Sequence, residues 1–396
     1  MFQLRPFQRQ ALEALDNHLP GRQNVICIAP TGSGKSLIYE RLASRENRKT
    51  LLITPLVALA RQQHQRLQKL KIRTFFGASE SKRLPTASES GAWILSPELL
   101  QYPSVQTTLK NWKPDLLVVD ECHCLWEWGE DFRPAFKIIP KTLELSSLQK
   151  SLWLTATLPT EAKKQLRKFL SPKPLEIGTF DIPQSIFLEV RHLPLTDRLE
   201  GLLKWINQQD GSGIIFVSTR DMTLRLARVI HAMGKKTAIY HAGLSREERQ
   251  STEYSLRNQE IQIIIATSAF GMGMDYPHLS FVALWQVPTS LLSLVQAIGR
   301  VGRSAETTGK AIVYWDFDDF RSLEWMIKNS TRRKRELKTL LDFFTAEECR
   351  RALLCRYFDS TPQFAYCEKC DFCARIAHRN IENHRILPIG RWLENC

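Results

Sequence analysis

Lys35 and Ser36 close the segment Ala29-Pro30-Thr31-Gly32-Ser33-Gly34, and together these residues have the makings of a cradle for a polyphosphate. Glycines let backbone N–H groups turn inward on phosphate oxygens, Lys35 supplies a point charge to the β and γ oxygens, and the Ser36 hydroxyl is placed to ligate Mg²⁺. Thr31, Gly32, Ser33 and Gly34 are the expected contacts along the loop. Ala29 stands where the strict G-x-x-x-x-G-K-[ST] pattern has its first glycine, and it is small enough to keep the turn. A second set of groups, Asp120-Glu121-Cys122-His123, offers paired carboxylates. Asp120 is suited to a Mg²⁺-linked role and Glu121 to activating water, with His123 a polar group near the γ-phosphate rather than a metal ligand. A third set is Arg300 and Arg303, at the spacing of one helical turn on one face, where both guanidinium groups reach a γ-phosphate as arginine fingers do. The fourth is C-x17-C-x2-C-x2-C, formed by Cys349, Cys367, Cys370 and Cys373, four soft ligands for one tetrahedral Zn²⁺.

The elements that must position these groups are legible as alternating apolar runs and amphipathic stretches. Val25–Ile28 reads as a buried strand feeding the loop, preceded by a short helix, Pro6–Leu15, in which Gln8 could present its amide to the edge of adenine. Strands follow at Thr50–Thr54, Arg73–Phe76, Ala92–Ser96, Asp115–Asp120 and Lys150–Leu154, with a helix from Pro55 to about Leu70 and a polar loop over Ser79–Gly91. Apolar strands separated by helices mark a parallel sheet covered on both faces. The chain from Leu170 to about Ile182 loses periodicity and gains Pro and Gly, which reads as a linker. A second alternation then runs from Ser185 to Trp315, with strands at Ser185–His192, Ser212–Val217, Thr237–Tyr240, Gln262–Thr267, Phe281–Trp285 and Lys310–Trp315. Its helices fall near Asp197–Asn207, Arg220–Met233, Arg246–Asn258 and Leu291–Ile298. Beyond Asp316 the pattern is helical and basic. The expected fold is therefore α/β, two parallel-sheet domains (1–180 and 181–316) followed by a small helical zinc-binding module (317–396).

Between the carboxylates and the next strand lies LWEWGEDFRPAF, in which Trp126, Trp128, Phe132 and Phe136 flank Gly129 in a segment too polar for a core strand. Exposed rings here suit stacking on bases, with Arg133 beside them for phosphate. Thr155-Ala156-Thr157 is a hydroxyl-bearing turn able to relay between carboxylates and substrate. Cys355 reads as a buried thiol, and Cys27, Cys122 and Cys124 as strand and turn residues without metal.

At 396 residues the chain exceeds one compact core, and 43% apolar with 24% charged residues is ordinary for a globular protein. The excess of 55 Lys+Arg over 41 Asp+Glu, a formal charge of +14, points to a polyanionic partner such as nucleic acid. No apolar stretch is long enough for a spanning helix and the N-terminus has no apolar core, so a cytoplasmic protein with reduced thiols and no membrane partner is expected.

The motifs APTGSGKS, TPLVAL, LSPELL, DECH, TAT, GIIFVSTR, YHAGL, ATSAFGMGMD and QAIGRVGRS, in that order, resemble those of superfamily 2 helicases, and WGEDFRP with the four cysteines resembles the RecQ family of DNA helicases. The resemblance spans Arg5 to Cys373. It implies two RecA-like domains with ATP in the cleft, Mg²⁺ as cofactor, a zinc-binding module, and ATP-driven 3′→5′ movement on single-stranded DNA. Unwinding of forked duplex in repair and recombination by a monomer is implied too, at the nucleoid if the source is bacterial. It assigns Arg5 and Gln8 to adenine, Gln296 to the nucleotide, Lys35, Ser36, Asp120 and Glu121 to phosphate, metal and catalysis, and Arg300 and Arg303 to the γ-phosphate. Trp128, Phe132 and Arg133 become the aromatic-rich loop that couples DNA to hydrolysis. The chain departs from the family pattern in Cys122 for Ala, Thr155 for Ser, Glu130 for His, Trp126 for a small polar residue, and Val301 and Ser304 in the last motif. Only 23 residues follow Cys373, so a short form without the winged-helix and further helical domains is expected. Two other readings remain open at the level of sequence: an RNA-remodelling ATPase of the same superfamily, and a nucleotide-gated switch that binds or anneals DNA without processive unwinding.

Overall fold

The computed structural model describes residues 3–16, 23–55, 57–77, 83–124, 139, 148–268, 270, 276–302, 308–326, 331–362, 364 and 366–377. They fall into two compact units, one built from residues up to Asp181 together with Phe358–Ser360, the other from the rest of the chain, beginning at Ile182.

In the first unit, β1 (Gln23–Ile28), β2 (Lys49–Ile53), β3 (Thr74–Phe76), β4 (Gly91–Leu95), β5 (Leu116–Val119), β6 (Lys150–Thr155) and β7 (Leu175–Ile177) form one parallel sheet in the order β3-β4-β2-β5-β6-β1-β7. The central strands are buried end to end because both faces are covered, and alternate residues feed two cores. Ile26, Leu51, Trp93, Leu117 and Trp153 face one core, with Val105, Leu109 and Trp112 of α4 (Pro103–Trp112) packed into it. Val25, Leu52, Ile94, Val118 and Leu152 face the other, against Leu12 and Leu15 of α1 (Pro6–Asp16), Ile38 and Leu42 of α2 (Ser36–Ala43), and Leu67 of α3 (Val57–Lys69). A further helix, α5 (Thr160–Phe169), follows β6.

β7 corrects the expected linker. Leu175, Glu176 and Ile177 pair in register with Val25, Ile26 and Cys27, adding a seventh strand beside β1. Three residues between Pro174 and Gly178 are too few to show a period. What fixes them is tertiary, including Gly178 at φ +77°, which lies so close to the Ile28 carbonyl that no side chain fits.

The second unit is a six-stranded parallel sheet in the order β10-β11-β9-β12-β13-β8, made of β8 (Ile186–His192), β9 (Ser212–Phe216), β10 (Thr237–Tyr240), β11 (Ile263–Ala266), β12 (Leu279–Leu284) and β13 (Gly309–Trp315). Between these strands run α6 (Leu195–Asn207), α7 (Arg220–Ala232), α8 (Arg246–Arg257) and α9 (Leu291–Ile298), and α10 (Phe317–Met326), α11 (Thr331–Thr345) and α12 (Arg350–Tyr357) follow. Local chemistry sets the helix starts: Ser245 and Glu248 form a reciprocal capping box on α8, and the Thr219 hydroxyl accepts from Met222 N–H at the start of α7. Two fully buried arginines tie this unit together. Arg198 of α6 pairs with Asp319 of α10 at 3.1 Å and donates to the Trp285 carbonyl. Arg351 of α12 donates to the carbonyls of Ile182, Pro183 and Ile186. β8 is the outermost strand of its sheet, and its Leu188 N–H donates to the Lys369 carbonyl at 3.0 Å, beside the cysteine cluster.

Candidate nucleotide site and metal centre

Three neighbouring strands, β5, β6 and β1, place their carboxyl ends side by side, with Val119 opposite Trp153 and Thr155 opposite Ile28. Ligands of open α/β sheets bind at such an edge. The phosphate loop leaves β1 there, Asp120-Glu121 leaves β5, and Thr155-Ala156-Thr157 leaves β6. Gly32 and Gly34 adopt φ +76° and +84°, conformations open to glycine, and the chain enters α2 at Ser36. The Lys35 ammonium donates to the Ala29 and Pro30 carbonyls at 2.8 and 3.1 Å, arched over its own loop.

Gln8 is buried, and its amide is engaged at both ends: Oε1 accepts from Arg5 N–H at 2.9 Å and Nε2 donates to the Gly34 carbonyl at 2.8 Å. Gln8 thus braces the loop, and reading a base edge requires it to exchange partners. Arg5 is exposed.

Asp120 is buried. Its Oδ2 accepts from Nε2 of Gln63 at 2.6 Å and its Oδ1 from Glu121 N–H at 3.0 Å. Burial, with the Glu121 charge next to it, pushes Asp120 up to about 7, against the smaller pull of Lys35. Glu121 sits at φ +50°, a left-handed turn rare outside glycine, and its carboxylate lies 3.3 Å from His123 Nδ1. His123 also meets Thr155 Oγ1 at 3.0 Å and Cys124 Sγ at 3.4 Å. Burial works against a charged imidazole here, but Cys124 and Glu121 outweigh it and hold His123 well above its ordinary value. Thr155 Oγ1 donates to the Thr157 carbonyl at 2.7 Å, so acids, histidine and hydroxyl turn form one connected chain.

Two participants escape sequence reasoning. Gln63 lies on the buried stripe of α3 with Ala60 and Leu67, and a polar residue at a core position of an amphipathic helix is the signal that marks it. Tyr39, fully buried on α2, hydrogen-bonds Ser36, and its phenol is raised by burial and by Asp120.

In the second unit, α9 ends at Ile298, capped by Gly299, and Gly302 at φ +65° turns the chain away. Arg300 therefore follows the helix instead of riding on it, which corrects the expectation of two arginines on one helical face. Gln296 is half-buried near the end of α9, and Arg300 lies near the phenol of Tyr276. Arg303, Ser304, Trp126, Trp128, Gly129, Glu130, Phe132, Arg133 and Phe136 lie outside the described residues.

The sulfurs of Cys349, Cys367, Cys370 and Cys373 all lie within 4.8 Å of one another and are buried, with Cys367 and Cys373 3.8 Å apart. A Zn–S bond of about 2.3 Å in a tetrahedron sets the S···S separation at about 3.8 Å. Hydrogen bonds among Cys349, Cys367 and Cys370 depress Cys349 and push Cys370 up to about 12, and a cation lets neighbouring thiols ionise together. The residues fit zinc. Cys355 is buried outside the cluster, as are Cys27, Cys122 and Cys124.

Fold and site together define a class, the superfamily 2 helicase core with two RecA-like units in one chain. Family profiles agree: DEAD/DEAH box helicase matches residues 5–165, Helicase conserved C-terminal domain 196–305 and RecQ zinc-binding 317–374. Within that class the chain belongs to the RecQ family. An ATP-dependent DNA helicase RecQ of Haemophilus influenzae is 29% identical, aligned over 94% of this chain and 62% of its own length. A putative ATP-dependent RNA helicase of Acanthamoeba polyphaga mimivirus is 30% identical over 96% of this chain and 71% of its own. The chain thus spans about three-fifths of the length of the RecQ helicase it matches. Among solved structures, Saccharomyces cerevisiae Dbp5 bound to RNA and ADP BeF3 is similar in fold, with a TM-score of 0.59 at 18% identity over 85% of this chain and 98% of that one. Among the described residues no helix is long and apolar enough to cross a membrane.

Proposed function

We propose that this protein is an ATP-driven DNA helicase that moves 3′→5′ along single-stranded DNA and parts duplex ahead of it, in repair or recombination. The observation that carries the reading is the meeting of Lys35-Ser36, Asp120, Glu121 and His123 at the carboxyl ends of β1 and β5, on either side of β6, in a chain that also bears the four-cysteine cluster. Bound Mg²⁺ would neutralise charge on the phosphates, and Ser36 and Asp120 are the residues to hold it. Lys35 leaves its carbonyl partners for the β and γ oxygens, Glu121 orients and deprotonates water, and His123 passes the state of that carboxylate to Thr155. Arg5, Gln8 and Gln296 serve the nucleotide, Arg300 and Arg303 the γ-phosphate, and Trp128, Phe132 and Arg133 the strand. The working form is a monomer in the cytoplasm, on forked or single-stranded DNA.

Unwinding of forked duplexes with a 3′ or a 5′ tail tests this directly. Strand release on the 3′-tailed fork alone, lost in Lys35→Ala and Glu121→Gln at unchanged melting, is expected; ATP hydrolysis without release on either fork leaves a binding switch instead. Stimulation by RNA exceeding that by single-stranded DNA would move the substrate to RNA, the activity that the mimivirus relative's name carries.

A further inference from the structure

Gln63 donates from its amide nitrogen to Asp120 Oδ2 at 2.6 Å, the orientation that the ionised, metal-binding form of the carboxylate requires. Its other end, Oε1, is buried and has no hydrogen-bond partner among the described residues. A buried acceptor left empty next to a carboxylate is rare enough to require an explanation. It is in company: Ser33 Oγ, Thr54 Oγ1 and Thr157 Oγ1, which follow the carboxyl ends of β1, β2 and β6, are likewise buried without a partner among the described residues. Unfilled oxygens gathered along that edge of the sheet suit a ligand that brings donors with it, and a hydrated cation does so, because Mg²⁺ keeps several of its waters while binding through one or two carboxylates.

We propose that Gln63 is a positioning residue for the metal: its nitrogen holds the Asp120 carboxylate in place, and its carbonyl oxygen takes a hydrogen bond from a water in the Mg²⁺ shell. The inference rests on the nucleotide reading above and adds to it a residue from α3. Groups one step out from a metal orient the groups that touch it, and their loss costs about 10–100-fold in metal affinity. A purely structural Gln63 would brace the apoprotein and leave metal affinity alone.

The test uses the full chain and a fluorescent N-methylanthraniloyl ATP, titrated in EDTA and at rising Mg²⁺, with wild type, Gln63→Met, Asp120→Asn and the double variant. Binding in EDTA should match between wild type and Gln63→Met, which also shows that the variant is folded. The Mg²⁺ concentration giving half the metal-dependent gain should rise about 10-fold or more in Gln63→Met, and the same change should add nothing on top of Asp120→Asn. Equal half-points in wild type and Gln63→Met, or an equal loss with and without metal, overturns the proposal. Wild type that binds no nucleotide in either condition brings down the nucleotide reading itself, and this role with it.

Discussion

Gly34→Ala tests the architecture of the phosphate loop where backbone and side chain constrain each other. Gly34 is at φ +84°, and a Cβ there would stand 2.8 Å from Gln8 Nε2. An L-residue held in the left-handed region costs about 1–2 kcal/mol. Displacing Gln8 from the Gly34 carbonyl removes a hydrogen bond worth about 1 kcal/mol. The total of about 2–3 kcal/mol corresponds, for a unit of this size, to a drop of roughly 5–10 °C in its melting temperature. Differential scanning calorimetry on Gly34→Ala, Gln8→Ala and the double variant separates the two contributions. Gln8→Ala removes the obstruction, so adding Gly34→Ala to it should cost only the backbone share, and the pair should fall short of additivity by about 1 kcal/mol. Additive losses, or a Gly34→Ala protein melting like wild type, would refute the idea that Gln8 and the loop are mutually locked.

The other expectations concern charge and metal. Asp120 is raised from 3.8 to about 7, so the folded state holds its proton more tightly than the unfolded one. The stabilising share of the protonated form is complete below about pH 4 and is lost as pH rises to about 7. Without nucleotide or Mg²⁺, Asp120→Asn should therefore gain melting temperature over wild type between about pH 4 and 7 and level off above that, and a constant difference across this range would contradict the buried-acid account. Cys370→Ser should lose one zinc equivalent, read by a colorimetric chelator, together with well over about 2 kcal/mol of stability, whereas stoichiometric zinc and unchanged melting would remove the cluster. Arg351→Met leaves the Ile182, Pro183 and Ile186 carbonyls without their donor and should cost about 3 kcal/mol in denaturant titration; a midpoint unchanged from wild type would show that water satisfies them.

Much of the fold was legible because strands buried on both faces, such as Leu116–Val119 and Ile263–Ala266, are continuous apolar runs rich in β-branched residues. Spacing likewise announced the cysteines, and the Gly-Lys-Ser sequence marked the turn from β1 into α2. What stayed hidden has its cause in three dimensions. Leu175–Ile177 is a strand only because β1 offers it an edge. Arg300 and Arg303 share a helical spacing, yet Gly299 and Gly302 end the helix before it can be used. Gln8 was legible as a residue near the loop but not as its brace, since a hydrogen bond across 26 positions leaves no local pattern. Arg198 and Arg351 look like ordinary surface cations in sequence, and their burial depends on carbonyls and a carboxylate supplied by distant segments.

The bond between Leu188 and Lys369 has a consequence for how the protein fails. β8 is the outermost strand of its sheet, covered by Arg351 at Ile186 and by the cysteine knuckle at Leu188, and an uncovered margin is a template for another chain. A knuckle that lets go on metal loss releases the Leu188 N–H, and the edge strand then offers a pairing position to a second chain.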